Sequence, residues 1–344
     1  MYEEEYSQLP GALLPWYAAN RRDLPWRREP EPYRVWISEI MLQQTRVEAV
    51  LGYYARFLAA LPTVKDLAEA DEQLLYKLWE GLGYYSRVRN LKKAAIQIME
   101  RHGGVFPDTY EEIRALAGIG PYTAGAIASI CFGLPRAAVD GNVLRIAARI
   151  TGDDAPIDRQ TTKDGIAAGL EAVYPAGACG DFTQALMELG ATVCLPRNPR
   201  CAACPAAGFC RANAAGIQTK LPVRLPKKAR REETWTVFML VCDDRIALCR
   251  RPPEGLLAGM WQLPNVPGVL EPEAAMEAAR QMGVGPDRPE WVVKRPHIFT
   301  HVRWEMTCYR IRCTVCADGF TWVTPAEMQA DYGLPTAFRQ FFEE

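Results

Sequence analysis

Leu116-Ala117-Gly118-Ile119-Gly120-Pro121-Tyr122-Thr123-Ala124-Gly125-Ala126-Ile127-Ala128 is the stretch that decides the fold. A Gly-Ile-Gly turn leads into an alanine-rich helix, and Pro121 suits the first helical turn. Glycines allow positive φ and close approach of the backbone. The free N–H groups and the positive dipole end at such a helix start form a sequence-independent phosphate site. We predict phosphate contacts at Gly118, Gly120 and Thr123; an ordinary helix hairpin is the alternative.

Glu39 is the single carboxylate of a helix predicted for residues 32–47. Side chains three and four positions apart share a helix face, so Val35, Trp36, Leu42 and Gln43 surround it. Loss of water raises a carboxyl pKa and lets a glutamic acid donate a proton near neutral pH. The alternative is a structural glutamate paired with a neighbouring arginine, because ion pairs also perturb pKa values.

Asp140 and Asn142 flank Gly141 at the predicted start of another helix. Both residue types are common helix caps, because their side-chain oxygens accept hydrogen bonds from the first free N–H groups. An ionised carboxylate opposite a protonated one is also the arrangement that breaks a glycosidic bond through an oxocarbenium-like cation. On that interpretation Glu39 protonates the leaving group and Asp140 stabilises the cation.

Four cysteines are crowded between residues 194 and 210, with the spacing C-x6-C-x2-C-x5-C. This crowding predicts a site with four thiolate ligands rather than disulfides. Zinc and an iron–sulfur cluster both accept such a set, and spacing alone does not choose between them. The predicted ligands are Cys194, Cys201, Cys204 and Cys210.

Length and composition predict a two-domain protein of ordinary globular character. The 344 residues exceed the size at which a single core stops growing. The chain is 49% hydrophobic and has no apolar run long enough for a membrane helix, and its acidic N-terminus lacks the layout of a secretory signal. We therefore expect a cytoplasmic protein. Its net charge is -1, so any nucleic-acid contact must use local basic clusters.

The texture of the sequence changes along the chain. Apolar spacing typical of short helices continues to about residue 190, whereas residues 220–233 combine two prolines with dense charge and predict a connector. Beyond it, residues 234–242, 245–249 and 305–313 are predicted strands, and residues 271–282 a predicted helix. The predicted domains are therefore residues 1–219 and 234–344.

Taken together, these motifs resemble the helix-hairpin-helix DNA glycosylases, and within them the MutY-type adenine DNA glycosylases. The resemblance covers nearly the whole chain and implies a multidomain protein: an all-α helix-hairpin-helix glycosylase domain with an iron–sulfur cluster loop, then an α+β Nudix (MutT)-like C-terminal domain. It also implies that the four cysteines hold a [4Fe–4S] cluster. The matching segments are Pro25-Trp26-Arg27, the Glu39 helix with Leu42-Gln43-Gln44-Thr45, Gly81-Leu82-Gly83-Tyr84-Tyr85-Ser86-Arg87, the hairpin at about residues 109–131, Asp140-Gly141-Asn142 and the cysteine loop at residues 194–210.

The resemblance implies roles for individual residues. Glu39 would protonate adenine at N7 and then help to activate water, Asp140 would stabilise the sugar cation, and Asn142 would support the site. Gln44 and Tyr84 match positions that wedge into the duplex while adenine is flipped out. The implied adenine pocket consists of Arg22, Trp26, Arg27, Leu42 and Gln184.

Tyr122 stands where bifunctional relatives such as endonuclease III carry a nucleophilic lysine. A phenol cannot form an imine, so the resemblance implies a monofunctional enzyme that cuts only the N-glycosidic bond. Ala117 replaces a proline that many relatives have, which would loosen the hairpin slightly without affecting its N–H groups.

The C-terminal part resembles the MutT-like domain of the same family at Arg250-Arg251-Pro252, at residues 255–261 and at Phe299-Thr300-His301. Its Nudix helix lacks the acidic run that holds Mg²⁺, so pyrophosphate hydrolysis is not expected. The resemblance implies that the loop of Phe299, Thr300 and His301 approaches 8-oxoguanine. Thr300 replaces a serine of many relatives, and its extra methyl group could alter the fit.

We therefore expect a monomeric glycosylase whose partner is double-stranded DNA with adenine opposite 8-oxoguanine or guanine. One alternative is a glycosylase with lyase activity on oxidised pyrimidines, and another is a non-catalytic iron–sulfur DNA-binding protein. Tyr122 argues against the first alternative. The joint presence of Glu39 and Asp140 argues against the second.

Overall fold

Residues 2–226 and 229–342 are described in a computed structural model, and they form two compact units. The first unit, residues 2–69 and 90–226, is helical, whereas the second, residues 70–89 and 229–342, contains the β-sheet. The predicted fold class, a helical domain followed by a mixed α and β domain, is confirmed. In the described chain no helix has both the length and the apolar character that crossing a membrane requires.

The helices of the described residues are α1 (Glu3–Tyr6), α2 (Leu9–Asn20), α3 (Pro25–Arg28), α4 (Pro32–Leu42), α5 (Val47–Ala60), α6 (Val64–Glu69), α7 (Glu72–Trp79), α8 (Ser86–His102), α9 (Tyr110–Ala115), α10 (Pro121–Phe132), α11 (Gly141–Thr151), α12 (Gln160–Glu171), α13 (Cys179–Thr192), α14 (Arg211–Ala214), α15 (Pro272–Gln281), α16 (Pro325–Asp331) and α17 (Thr336–Arg339), with a short 3-10 helix at Cys201–Ala203. The strands are β1 (Arg231–Cys242), β2 (Arg245–Arg250), β3 (Trp261–Gln262), β4 (Asn265–Pro267), β5 (Pro286–Ile298), β6 (Val302–Cys313) and β7 (Thr321–Val323).

The predicted hairpin is formed by α9 and α10. The turn between them contains Gly118 with a φ of 75°, a conformation that L side chains rarely adopt. The N-cap of α10 is Gly120. Because glycine has no side chain, it makes no side-chain hydrogen bond to the first turn of the helix. The N–H groups of that turn are therefore left without a side-chain acceptor, as the phosphate interpretation of the sequence requires.

Helix α10 is the centre of the helical unit and packs against α4, α9 and α13. All its residues from Thr123 to Ser129 are buried. At Gly125 an added Cβ would lie 2.4 Å from the carbonyl oxygen of Ala137, so the helix backbone touches the segment that leads to Asp140. The small residues of α10 thereby set the position of the segment that precedes α11.

The sheet has the strand order β3-β2-β1-β6-β5, with β4 paired to β1 and β7 to β2. Strands β1 and β6 are parallel, and the other pairs are antiparallel. Helix α15 covers one face through Ala275 and Ala279, and α17 covers the other through Phe338. A disulfide that the sequence did not predict joins Cys242 and Cys316.

Two features of the sheet unit differ from the sequence prediction. Strand β5 was missed because Pro286, Pro289 and Pro296 argue against a strand, but β5 lies at the sheet edge, where proline is tolerated. Strand β1 also begins at Arg231, inside the connector predicted for residues 220–233. Of that connector, residues 227 and 228 lie outside the described residues.

Residues 70–89 belong to the sheet unit, although they precede the predicted connector by more than a hundred residues. Helix α7 packs against α16, and Glu80 pairs with Arg339 at 3.4 Å. The Arg89 guanidinium donates to the carbonyl oxygen of Ala258. The segment is therefore held by long-range contacts that a linear division of the sequence does not reveal.

Substitution of Gly125 by Ala tests the close contact of α10. The new Cβ would meet backbone at 2.4 Å, so we expect an overpacking cost of about 1–3 kcal/mol and a lower midpoint of thermal unfolding. Gly165→Ala in α12 is the matched control, because its Cβ would lie 3.4 Å from the nearest atom, on Tyr2. Helix propensity should make that variant more stable by up to about 1 kcal/mol. Equal effects of the two substitutions would contradict the packing argument.

Candidate active site

A cavity of about 690 Å³ lies within the helical unit and gathers residues from six segments of the chain. It brings together nearly all the residues that the sequence predicted for chemistry, base binding and phosphate contact in this unit. These lining residues are Arg22, Trp26, Arg27, Glu39, Leu42, Gln44, Gly118, Gly120, Tyr122, Thr123, Asp140, Asn142 and Gln184. Met187 completes the wall beside Gln184 on α13.

Glu39 reaches this cavity from α4 and is only 5% exposed. Its neighbours Trp36, Ile37 and Ile40 are buried hydrophobic residues, so little water reaches the carboxyl group. The Tyr122 hydroxyl, in the first turn of α10, donates a hydrogen bond of 2.6 Å to Glu39 Oε2. The carboxyl group is therefore buried with a neutral phenol as its hydrogen-bond partner.

Burial raises the pKa of Glu39 to about 7. The hydrogen bond from Tyr122 favours the charged form and opposes this shift, whereas the nearby charge of Asp140 adds to it. Burial also raises the pKa of Tyr122 well above its ordinary value, so the phenol keeps its proton and remains a donor. Near neutral pH Glu39 can therefore both give and take a proton.

Asp140 is the N-cap of α11, which is the helix-cap role that the sequence allowed, and it also lines the cavity. Its Oδ1 accepts hydrogen bonds from the N–H groups of Asn142 (2.9 Å) and Val143 (2.8 Å), and Oδ2 accepts one from Asn142 Nδ2 (2.9 Å). Burial raises the pKa of Asp140, whereas these three donors and the Arg145 charge favour the ionised form. The cap geometry therefore presents an acceptor-rich carboxylate to the cavity.

Asn142 continues from Asp140 into a buried polar network. Its Oδ1 accepts a hydrogen bond of 2.9 Å from Arg145, whose Nε donates to the carbonyl oxygen of Cys194 at 2.8 Å. Gly190 of α13 makes room for this packing, because a Cβ there would lie 2.5 Å from Asn142 Cβ. The cysteine loop and Asp140 are thus linked through side chains of a single helix.

Arg22 and Arg27 are both bound by Glu188, a residue that the sequence analysis did not single out. The Glu188 side chain is fully inaccessible to solvent; it accepts bonds of 2.7 and 3.0 Å from Arg22 and of 2.7 Å from Arg27. Burial alone would raise the pKa of Glu188, but these hydrogen bonds more than offset it and hold the pKa below its ordinary value. Its position four residues after Gln184 on one helix face was the available signal.

Trp26 and Gln44 both line the cavity but differ in exposure. Trp26 is 6% exposed, and its ring meets that of Tyr54 edge to face at 5.3 Å, so its position is fixed by packing. Gln44 is exposed and has a φ of 60°, an uncommon conformation for a residue with a side chain. Trp26 is therefore a packed aromatic part of the wall, and Gln44 is a solvent-exposed residue two positions after the end of α4.

Tyr84, Phe299, Thr300 and His301 belong to the sheet unit. The Tyr84 and Thr300 hydroxyl groups are hydrogen-bonded at 2.5 Å, and Tyr84 is 45% exposed. Thr300 and His301 are exposed, but the Phe299 ring is half-buried and packs edge to face on Trp304 at 4.9 Å. The loop therefore offers polar groups to solvent, while Phe299 anchors it to the sheet core.

The four predicted ligand cysteines line one small cavity in the helical unit. Among the described residues, the ligand atoms that lie within 4.8 Å of one another belong to Cys242, Asp243 and Cys316, so no three of the four loop sulfurs are that close. Tetrahedral zinc with bonds of about 2.3 Å needs sulfurs about 3.8 Å apart. Four cysteine side chains that line one cavity are a ligand set that an iron–sulfur cluster also accepts.

Substitution of Glu188 by Gln tests whether its buried charge is structural. Two guanidinium groups would lose their charged partner, and we expect a loss of about 3 kcal/mol or more in the free energy of unfolding. Asp23→Asn is the matched control, because Asp23 also binds an arginine through both oxygens but on the surface. Thermal unfolding should show a large shift for Glu188→Gln and none for Asp23→Asn; similar midpoints would contradict this role of Glu188.

Comparison with known proteins places this geometry in a family. Residues 37–168 match the family "HhH-GPD superfamily base excision DNA repair protein", and residues 236–344 match the NUDIX domain. The chain is 34% identical to the adenine DNA glycosylase of Homo sapiens, over 98% of this chain and 74% of that protein. It is 36% identical to the adenine DNA glycosylase of Arabidopsis thaliana, over 88% of this chain and 56% of that protein.

Solved structures agree with the helical part. A thermostable thymine-DNA glycosylase superposes with a TM-score of 0.57 at 28% identity, over 62% of this chain and 98% of that chain. A trapped endonuclease III–DNA covalent intermediate superposes with a TM-score of 0.52 at 22% identity, over 62% and 97% of the two chains, a likeness of fold. With its helix-hairpin-helix domain, its Nudix-like domain and DNA as its partner, the chain belongs to the adenine DNA glycosylases of base excision repair.

Proposed function

We propose that this glycosylase removes adenine paired with 8-oxoguanine or guanine and that it hydrolyses the N-glycosidic bond without cutting the strand. The observation that carries the proposal is the shared cavity of Glu39 and Asp140. One carboxyl group has a pKa of about 7, and the other accepts three N–H hydrogen bonds. Two carboxyl groups in such different environments suit the two halves of glycosidic cleavage.

Glu39 is the proposed general acid. Its proton passes to N7 of adenine, and the C1′–N9 bond breaks with both electrons leaving on the base. A water molecule then adds to C1′ and returns a proton to Glu39, which restores the acid. Because the pKa of about 7 lies near neutral pH, Glu39 can serve in both steps.

Asp140 is the proposed stabiliser of the sugar cation. The hydrogen bonds from Asn142 and Val143, at the positive end of the α11 dipole, favour its ionised form. A fixed negative charge beside C1′ stabilises the oxocarbenium-like cation without reorganisation of solvent. The Asn142–Arg145 hydrogen bond keeps this carboxylate in one orientation.

The absence of an amine nucleophile supports a monofunctional reaction. None of the described residues that line the cavity is a lysine. Tyr122 occupies the position at the start of α10, and its hydroxyl is engaged with Glu39 at 2.6 Å. An imine to the sugar would need an amino group, so cleavage is proposed to end at the abasic site.

The flipped adenine is proposed to bind between Trp26, Leu42 and Gln184, with Arg22 and Arg27 held in place by Glu188. Gln44 is the proposed wedge into the duplex, since its exposed side chain follows the Glu39 helix directly. The backbone N–H groups at Gly118, Gly120 and Thr123 are the proposed phosphate contacts. Gly118 is exposed and Gly120 half-buried, whereas Thr123 is only 2% exposed, so the two glycines are the more accessible of these contacts.

The cysteine loop would hold a [4Fe–4S] cluster, which when bound cross-links the two ends of the loop through four iron–thiolate bonds. Arg197 and Arg200 in this loop are exposed and can contact DNA phosphates. In the sheet unit, the Tyr84–Thr300 pair and His301 offer hydrogen-bonding groups for the edge of 8-oxoguanine. The alternative for this unit is a purely stabilising role.

Substitution of Glu39 by Gln should abolish adenine release without weakening the binding of mismatched duplex. The amide keeps the shape but cannot donate the proton, and loss of general acid catalysis costs about 10²–10⁴ in rate. Single-turnover assays with adenine opposite 8-oxoguanine, guanine and thymine measure this. In the wild-type enzyme the rate should fall above about pH 7, as Glu39 loses its proton. Strand breaks should appear only after hot alkali.

A stability measurement separates this catalytic effect from misfolding. Burial raises the folded-state pKa of Glu39, so the carboxyl group destabilises the fold increasingly as pH rises from its unfolded value towards about 7. The neutral amide of the Glu39→Gln variant carries no such cost, so at pH 8 this variant should unfold at the same or a higher temperature than the wild type. A variant that is active at near wild-type rate would refute the acid role.

Substitution of Thr300 by Val should lower the preference for 8-oxoguanine over guanine opposite the adenine. The change keeps the shape but removes the hydroxyl that bonds Tyr84, and we expect the ratio of the two excision rates to fall about fivefold, the equivalent of about 1 kcal/mol. Thr336→Val, another exposed threonine of the sheet unit, is the control. Unchanged ratios in Thr300→Val and in His301→Ala would favour a purely stabilising sheet unit.

A further inference from the structure

The cavity between the four loop cysteines is lined by several polar side chains, and two of those that the catalytic proposal does not use could donate hydrogen bonds to a bound cluster. They are Arg149 of α11 and Gln218, which follows α14. Neither belongs to the cavity of Glu39 and Asp140. The inference drawn from them rests on the proposed [4Fe–4S] cluster and concerns what this chain does to it.

Arg149 is only 2% exposed and faces the first cysteine of the loop. Its Nη1 donates to Cys194 Sγ at 3.2 Å and to the carbonyl oxygen of Leu195 at 2.8 Å. Its Nη2 donates to Pro196 O at 3.2 Å, and its Nε to Leu221 O at 3.1 Å. One buried guanidinium therefore binds the Cys194 sulfur, the backbone at the start of the loop and the segment that follows α14.

Gln218 supplies a second, independent observation. Its side-chain Oε1 is buried and has no hydrogen-bond partner among the described residues. A buried amide oxygen without a donor is costly, whereas the oxygen and nitrogen of an amide exchange places by a simple flip. Since the residue lines a cavity of sulfur acceptors, the flipped orientation would give its Nε2–H groups partners there.

We propose that Arg149 and Gln218 donate hydrogen bonds to the sulfurs of the cluster and set its reduction potential. Both are positioning residues, because they would act through the cluster and not on DNA. Hydrogen bonds to sulfur and a nearby positive charge stabilise the more reduced, more negative state of the cluster. The pair therefore raises the reduction potential and protects the cluster against oxidation.

Arg145 provides a matched comparison on the same helix. It is 6% exposed, its Nε donates to the carbonyl oxygen of Cys194 at 2.8 Å, and its guanidinium charge also acts on the Cys194 thiol. Arg145→Lys and Arg149→Lys both keep a positive charge and both disturb the loop backbone. Arg149→Lys also removes the planar donor that lies 3.2 Å from Cys194 Sγ.

The test is a redox titration of the full-length protein, free of DNA, with iron and sulfide content measured first. For Arg149→Met and for Gln218→Leu we expect the ratio of oxidised to reduced cluster, measured at a fixed applied potential, to rise at least tenfold. For a one-electron couple this is a fall of about 59 mV in the reduction potential. Arg149→Lys should shift the potential in the same direction, and Arg145→Lys should shift it less. The variants with the larger shifts in potential should also lose the cluster faster in air.

The outcomes are distinguishable. If Arg149→Met does not take up iron, the test rests on the other two variants. Arg149→Lys keeps the positive charge, and Gln218→Leu keeps the side-chain volume. Full iron content with wild-type potentials in both would overturn this inference and leave the proposed cluster standing. A colourless wild-type protein with one zinc would overturn the cluster and this inference together. Equal shifts in Arg145→Lys and Arg149→Lys would assign the effect to the loop backbone and refute the sulfur contact.

Discussion

The helical unit depends on the pairing of buried arginines along α11. Arg145 and Arg149 lie one helical turn apart on the face that meets the cysteine loop, and both are almost inaccessible to solvent. A buried guanidinium without acceptors is very costly, so the carbonyl oxygens of the loop must stay where these groups need them. Since Asp140 caps the same helix, the position of its carboxylate also depends on these two charges, which lie five and nine residues further along the chain.

Two glutamates in this unit are both buried, but their pKa values are shifted in opposite directions. Glu188 meets two guanidinium groups and stays ionised, whereas Glu39 meets the phenol of Tyr122 and has a pKa near neutrality. The sequence left two interpretations open for a helical glutamate: a structural ion pair or a titratable acid. The structure contains one of each, Glu188 on α13 and Glu39 on α4. The proposed general acid is the glutamate without a charged partner, whereas Glu188 holds two arginines of the same cavity through its ion pairs.

Sequence reasoning succeeded where function depends on local order and failed where it depends on distant packing. The hairpin turn and the cap at Asp140 are local patterns, so their geometry could be predicted from a few residues. Glu188 could not be recognised as the partner of Arg22, because 166 residues separate them. Strand β5 was hidden by its prolines, and the half-buried state of Phe299 depends on Trp304 across a hairpin. The local sequence around a residue does not show which distant residues it will contact in the fold.

Residues 70–89 have a consequence for how the protein is made. Helix α7 of this segment packs with α16, whose residues leave the ribosome about 250 residues later. At a synthesis rate of about 5–20 residues per second, the delay is on the order of ten seconds to a minute. During that time Leu75, Tyr76 and Trp79, which are buried in the finished fold, lack their partner helix. The nascent chain thus carries an amphipathic helix whose apolar face stays without α16 until synthesis is nearly complete.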